Sequence, residues 1–140
     1  MKHFIWTLCL LSMACAQGAV PIASGSLDGA EIDDGWSHLV VTVDPDGEDR
    51  VTRIWLASVD GEVALRTGDS RWWANLQRDP EIRIRVSGSD HPYRAEFPRT
   101  HEERVRIDEA FLEKYGGWER MMFSDERGET HENYAWLRRD

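Results

Sequence analysis

The chain has 140 residues, is 41% hydrophobic and 31% charged, and carries a formal net charge of −9. This length and balance fit one globular domain. The negative charge argues against nucleic acid and against anionic membrane surfaces as partners.

The N-terminal segment has the pattern of a secretory signal peptide. A positive charge in residues 1–3 precedes an apolar run, which ends in the small-x-small site A-C-A before residue 17. We therefore expect cleavage near Ala16 and export to the periplasm or the medium, with lipoprotein processing at Cys15 as the alternative. The run is too short for a stable membrane span. Because Cys9 and Cys15 both lie in this segment, the mature chain is expected to have no disulfide.

Strand patterns dominate the first half of the mature chain. Residues 17–35 are expected to form a mostly irregular leader with at most one short helical turn. A β-branched strand is predicted at His38–Val43. Residues 51–59 are apolar on both faces, which predicts a single strand inside a barrel. Asp60 and Gly61 then predict a hairpin into a strand at Glu62–Thr67.

A short helix interrupts the strands. Asp69 or Ser70 can cap it, and Asp79-Pro80 ends it after Arg78. Glu81–Val86 alternates strictly between polar and apolar residues, and alternation returns after a turn in residues 87–90. The pattern predicts an antiparallel pair of strands.

A longer helix and a last strand complete the predicted domain. Thr100 and Glu103 form a capping box, and Gly116-Gly117 is expected to end the helix. Its apolar stripe consists of Ile107, Ala110, Phe111 and Tyr115. The last strand is predicted at Asn133–Arg138. Residues 36–140 therefore indicate a mainly β fold with α (α+β): a six-stranded antiparallel barrel with a short inserted helix and a longer helix in its C-terminal half.

Motifs for side-chain catalysis are absent from the sequence. It contains no G-x-S-x-G, H-E-x-x-H, P-loop or dinucleotide-binding pattern. The histidines of the mature chain, at positions 38, 91, 101 and 131, fall in different elements without metal-ligand spacing. We therefore name no catalytic residue and no metal site.

The stretch R-T-G-D-S-R-W-W-A-N-L, residues 66–76, leaves two alternatives open. A helix N-terminus attracts anions, and Arg66 and Arg71 could flank a phosphate there. Alternatively, Asp69 fills the same place and pairs with either arginine. Trp72 and Trp73 are about 100° apart on a helix, so one is expected in the core and the other at a rim, a subunit contact or a flat ligand.

Residues 53–88, RIWLASVDGEVALRTGDSRWWANLQRDPEIRIRVSG, resemble the FMN- and deazaflavin-binding split-barrel proteins, the relatives of pyridoxamine phosphate oxidase and of deazaflavin-dependent nitroreductases. FLEKYG, residues 111–116, resembles small uncharacterised members of that superfamily. The resemblance implies a six-stranded split barrel, a homodimer, and an FMN or deazaflavin cofactor near the subunit interface that performs hydride transfer on a small molecule.

The resemblance also implies which residues hold the cofactor. Its phosphate tail would lie against Arg66, Thr67, Ser70, Arg71 and Trp72, and its ring along the strand with Arg53, Ile54 and Trp55. Two alternatives stay open. One is an exported binding or structural module of the same fold without a cofactor. The other is a haem-handling protein with His38, His91 or His131 as axial ligand.

Overall fold

The computed structural model describes residues 18–25, 27–123 and 127–139. The predicted signal peptide, residues 1–16, lies outside the described residues. Seven strands are formed: β1 His38–Val43, β2 Asp49–Ile54, β3 Ala57–Val59, β4 Glu62–Thr67, β5 Glu81–Val86, β6 Ser89–Glu96 and β7 Asn133–Arg138. Three helices accompany them: α1 Gly29–Asp34, α2 Arg71–Arg78 and α3 His101–Met122. The helix α1 falls in the segment expected to be a mostly irregular leader.

The strands form one curled antiparallel sheet in the order β2-β1-β5-β6-β7-β4-β3. Its two edge strands, β2 and β3, are consecutive in the chain and are joined only by Trp55 and Leu56. The sheet therefore curls until its edges approach each other, as in a barrel left open along one line. We call this line between β2 and β3 the seam.

The strand count corrects the sequence prediction of six. Residues 51–59 do not form one inner strand, because the chain leaves the sheet at Trp55 and Leu56. On one side Arg53 pairs with Leu39, and on the other Ala57 pairs with Ala64. Both halves are edge strands, and 46% of Val51 is exposed to solvent. The apolar run reflects the two strands and the link between them.

The link is held by side chains of α3 where ladder hydrogen bonds are missing. Lys114 Nζ donates to the Leu56 carbonyl at 2.6 Å, and the Tyr115 hydroxyl donates to the same oxygen at 2.9 Å. A buried carbonyl outside a sheet needs such partners. Burial lowers the pKa of Lys114 and raises that of Tyr115. The long helix thus fixes the position of the seam.

Helix α3 is longer than predicted and is divided at a glycine. Thr100 caps it with the expected capping box to Glu103. Gly116, at φ 52° and ψ −116°, breaks the helical backbone, but the chain resumes a helical course to Met122. Gly116-Gly117 therefore bends this helix rather than ending it. The residues of the predicted stripe, apart from the half-buried Ala110, are buried against β3, β4 and β7.

Both adjacent tryptophans are buried, so neither lies at an exposed rim. Trp72 is 6% exposed and Trp73 is 4% exposed, and both belong to the main core with Leu76. The ring of Phe97 packs edge-on against Trp73 with centroids 5.4 Å apart. The curled sheet and Phe97 together cover both sides of the short helix α2. In the described part of the chain, no helix is both long enough and apolar enough to cross a membrane.

Candidate functional site

A cavity of about 400 Å³ opens at the seam. Its lining comes from the end of β2, the end of β4, the start of α2, the end of α3 and the segment before β7. The lining residues are Arg53, Ile54, Trp55, Arg66, Thr67, Gly68, Trp72, Phe111, Met122, Phe123 and His131. Arg66, Trp72 and Phe111 are buried and form its floor, whereas Arg53, Gly68 and Met122 are exposed and form its rim.

Six of the eight residues predicted to hold a cofactor line this one cavity. They are Arg53, Ile54, Trp55, Arg66, Thr67 and Trp72. Ser70 instead caps α2, accepting a hydrogen bond from the Trp73 amide. Arg71 faces a different depression, together with Arg50, Arg78 and Asp44. Arg53 at the end of β2 and Arg66 at the end of β4, 13 residues apart in the chain, are thus brought together at the cavity by the curl of the sheet.

Aromatic rings form a large part of the wall. The Trp55 ring stacks on Tyr115 with centroids 4.5 Å apart and an interplanar angle of 16°. Phe123 meets Trp55 edge-on, with centroids 6.4 Å apart. The Phe111 ring also stacks on Tyr115, with centroids 5.6 Å apart. Rings held by one another in this way offer a rigid apolar surface suited to a flat ligand.

Arg66 on the cavity floor is neutralised by two carboxylates of α3. Its Nη1 donates to Asp108 Oδ1 at 2.5 Å, and its Nη2 forms an ion pair with Glu119 Oε1. All three side chains are at most 1% exposed. The guanidinium also lies over the ring of Phe111, 4.3 Å from its centroid. One positive and two negative charges share this buried place.

Asp108 is the better satisfied of the two carboxylates. Besides Arg66, it accepts hydrogen bonds from the Gly128 amide at 2.7 Å and from the Tyr134 hydroxyl at 2.9 Å. Burial by itself raises the pKa of Asp108, but these hydrogen bonds outweigh it, so the pKa lies below its ordinary value. Burial raises the pKa of Tyr134 to about 12. At neutral pH the pair is therefore a carboxylate and a neutral phenol.

His131 is the histidine that reaches the cavity. Burial, and then the positive charge of Arg66, lower the pKa of His131 to about 4, so the ring is neutral at pH 7. Its Nδ1 is buried without a hydrogen-bond partner, and its ring lies 4.5 Å from that of Phe123. His38 and His91 do not line the cavity, and His91 Nδ1 lies 2.9 Å from the Gly25 carbonyl.

Asp69 neither caps α2 nor pairs with an arginine. Its carboxylate lies 3.5 Å from Asn133 Nδ2. Ser70 provides the cap, and the arginine at the end of β4 takes its counter-charges from α3. Acidic residues thus neutralise Arg66 within the stretch of residues 66–76, but they belong to α3, and Asp69 of the stretch itself is not one of them.

Three lining residues, Phe111, Met122 and Phe123, were not named as site residues by the sequence prediction, and His131 was named only as a possible haem ligand. Phe111 was expected in the core stripe of α3, which is correct but did not reveal that its ring reaches a cavity. Met122 and Phe123 were placed beyond the end predicted for the helix at Gly116-Gly117. The sequence feature that could have indicated this part of the cavity wall is the apolar-rich segment Trp118 to Phe123, directly after a glycine pair. In the described residues, no group of three or more His, Cys, Asp or Glu could hold a metal ion.

Comparison with solved structures identifies the same fold in proteins of several functions. A conserved hypothetical protein from Mycobacterium tuberculosis is 25% identical, with TM-score 0.56, covering 89% of this chain and 84% of that one. An F420-H2-dependent reductase is 14% identical, with TM-score 0.55, covering 73% and 93%. A haem storage protein from Vibrio cholerae is 14% identical, with TM-score 0.56, covering 77% and 83%. The chain therefore shares the fold of these proteins, whose described functions differ from one another.

Sequence comparison adds a family but no function. No curated protein is detectably similar in sequence to this chain. A family model described as an uncharacterized protein conserved in bacteria (DUF2255) matches residues 31–132. This match begins within α1, spans every element from β1 to α3 and reaches His131 in the cavity. The chain belongs to the family DUF2255.

Proposed function

We propose that the seam cavity binds a planar redox cofactor of the flavin type, FMN or a deazaflavin, and that the protein is an oxidoreductase acting on a small molecule. The observation that carries this proposal is the convergence of Arg53, Trp55, Thr67 and Trp72 on one aromatic cavity. These residues are distant parts of the motif that resembles flavin-binding split barrels. A similar fold in an F420-H2-dependent reductase supports it.

The residues present fit such a ring. Trp55, Trp72 and Phe111 supply apolar surfaces, each packed against a further ring, Tyr115 or Trp73. The Thr67 hydroxyl and the rim arginine Arg53 supply hydrogen-bond donors. When bound, a flavin supplies hydride transfer, so the protein need contribute only binding and orientation. His131, neutral at pH 7, leaves an unpartnered Nδ1 near the ring site.

The first experiment is a titration of the purified mature protein with FMN and with a deazaflavin, followed by flavin fluorescence. We expect saturable binding by the wild type and its loss in Gly68→Phe. A Cβ atom at Gly68 meets no atom within 4 Å, and Gly68 lies on the cavity rim, so we expect the variant to narrow the cavity and keep the fold. Gly25→Phe, at another open glycine outside the cavity, is the control. Absence of uptake by the wild type contradicts the proposal and favours a module without a cofactor.

Haem is a second candidate because His131 lines the cavity. A neutral imidazole with a free ring nitrogen can serve as an axial ligand. A haem storage protein from Vibrio cholerae shares the fold. A haemin titration separates the candidates: a Soret shift that is lost in His131→Gln supports haem, and an unchanged spectrum removes it.

We further propose that the protein is exported and homodimeric. The signal-peptide pattern supports export. Large apolar side chains near the cavity support self-association: Trp36 is 53% exposed, Trp118 55% and Met121 67%. Fractionation of the natural host tests export, and light scattering of the mature protein tests the dimer. A cytosolic protein, or a monomer at micromolar concentration, contradicts the respective expectation.

A further inference from the structure

The end of α3 forms a separate segment on the cavity wall. Gly116 breaks the helix, so residues 117–123 are no longer continuous with the helix packed on the sheet. Met122 and Phe123 of this segment line the cavity. Trp118, Met121 and Met122 are more than half exposed. We call residues 117–123 the flap.

The flap is attached through one buried charge and through the ring of Phe123. Glu119 is its one buried residue, at 1% exposure. Among the described residues, its carboxylate forms one ion pair, with Arg66, and neither of its oxygens has a hydrogen-bond partner. Phe123 adds ring contacts to Trp55 and His131. A flap held by one carboxylate can be released by whatever replaces that carboxylate.

Arg66 is prepared to accept such a replacement. Asp108 accepts a hydrogen bond from Nη1 of Arg66, so the other edge of the guanidinium, formed by Nε and Nη2, is not used by Asp108. Glu119 contacts this edge through Nη2 alone, and Nε is buried without a partner. An unsatisfied buried donor is costly, whereas an oxyanion that accepts from both groups gains a bidentate, charge-assisted pair. The edge is therefore better suited to a phosphate than to Glu119.

The charge balance accounts for the release of Glu119, although not for the arrival of a phosphate. Arg66 carries one positive charge against two buried carboxylates, and Asp108 is secured by three donors. The surplus negative charge thus resides with Glu119. A buried carboxylate beyond those that are paired is unfavourable, and moving it to water relieves that cost.

We propose that the Nε–Nη2 edge of Arg66 is an oxyanion site of the cavity, that Glu119 occupies it in this state, and that the phosphate of an incoming cofactor displaces Glu119 and opens the flap. The inference rests on the proposed function for the identity of the phosphate carrier, but not for the site itself. Glu119 is then a specificity residue, because every anionic ligand must compete with it. A neutral ligand of the same shape leaves the flap closed.

FMN and riboflavin, which differ by the phosphate, provide the first test. Glu119→Gln keeps the shape but removes the competing charge. We expect it to raise the preference for FMN over riboflavin about tenfold relative to the wild type, the order of a charge-assisted pair. Glu113→Gln, at an exposed position before the break in α3, makes the same charge change and is expected to leave the ratio unaltered. An equal ratio in wild type and Glu119→Gln overturns the proposal.

Hydrogen exchange of the wild-type flap provides a second test that needs no variant. We expect residues 117–123 to exchange faster with FMN or with inorganic phosphate than with riboflavin or with chloride at equal ionic strength. Unchanged exchange with both phosphate compounds overturns the inference. If neither flavin binds but phosphate still opens the flap, the proposed function fails and the oxyanion site stands. If both flavins bind and the flap stays closed, the proposed function stands and the oxyanion site fails.

Discussion

The guanidinium of Arg66 on β4 and the carboxylate of Asp108 on α3 form a hydrogen-bonded ion pair with an Nη1–Oδ1 distance of 2.5 Å, closed off from solvent. The pair joins the strand that ends at the cavity to the helix that covers the sheet. Arg66 is thus a structural residue as well as part of the cavity floor. A substitution at Arg66 is therefore expected to change folding as well as ligand binding.

We expect Arg66→Met to destabilise the protein strongly. It leaves Asp108 and Glu119 buried without their counter-charge, and losing one partner of a buried pair costs about 3–5 kcal/mol. Arg106→Met is the control, because its pair with Asp60 is largely exposed and should contribute less than about 1 kcal/mol. Urea unfolding of both variants measures the difference. Equal free energies of unfolding would show that the buried pair contributes no more than a surface one.

The neutral His131 makes stability depend on pH. Its pKa is about 4 in the folded protein against 6.5 ordinarily, so between these values the unfolded chain takes up a proton that the folded protein refuses. The stability that the folded protein owes to a neutral His131 is therefore fully present above pH 6.5 and is lost as the pH falls through 4. We expect His131→Gln to lose less stability than the wild type between pH 7 and pH 4.5.

The matched control for this pH effect is His101→Gln, at an exposed position on α3. It should follow the wild-type curve of unfolding free energy against pH. If His131→Gln also follows that curve, the imidazole is not held neutral by its surroundings.

Ser70 and Asp69 are neighbours before α2, but only Ser70 caps the helix. Ser70 accepts the Trp73 amide at the start of α2, whereas Asp69 lies beside Asn133. We expect Ser70→Ala to reduce the free energy of unfolding by about 1 kcal/mol, the usual value of an N-cap. Asp69→Ala should change it by less than half as much. The reverse order in thermal unfolding would identify Asp69 as the cap in solution.

Adjacent glycines in α3 should respond oppositely to the same substitution. Gly116 has a backbone conformation that other residues rarely adopt, so Gly116→Ala is expected to cost about 1–3 kcal/mol although the added methyl meets no atom. Gly117→Ala also meets open space, and at a position without positive φ it should be neutral or stabilising by up to about 1 kcal/mol. Guanidinium unfolding distinguishes the two. A stabilising Gly116→Ala would mean that α3 runs straight through this position.

Local patterns predicted most of the elements. The strands His38–Val43, Glu62–Thr67, Glu81–Val86 and Asn133–Arg138 have the predicted bounds. Asp60 and Gly61 both adopt positive φ in the turn that their sequence indicates. These features depend on neighbours in the chain and are therefore readable from short stretches.

Features set by distant parts of the chain were not readable in this way. The break at Trp55 and Leu56 exists because the two halves pair with different strands, β1 and β4. The counter-charges of Arg66 come from α3, far along the chain, whereas the sequence offered Asp69 three residues away. The resemblance identified both sides of the cavity, but the wall contributed by Met122, Phe123 and His131 depends on how α3 bends.

The seam has a mechanical consequence. The two edge strands meet without a hydrogen-bond ladder between them, and the two-residue link that joins them is fixed by Lys114 and Tyr115 through the Leu56 carbonyl. Widening the cavity therefore requires no loss of pairing within the sheet, only an adjustment of this one anchored peptide. We therefore expect the molecule to yield first at the link between β2 and β3, with the paired strands of the sheet unchanged.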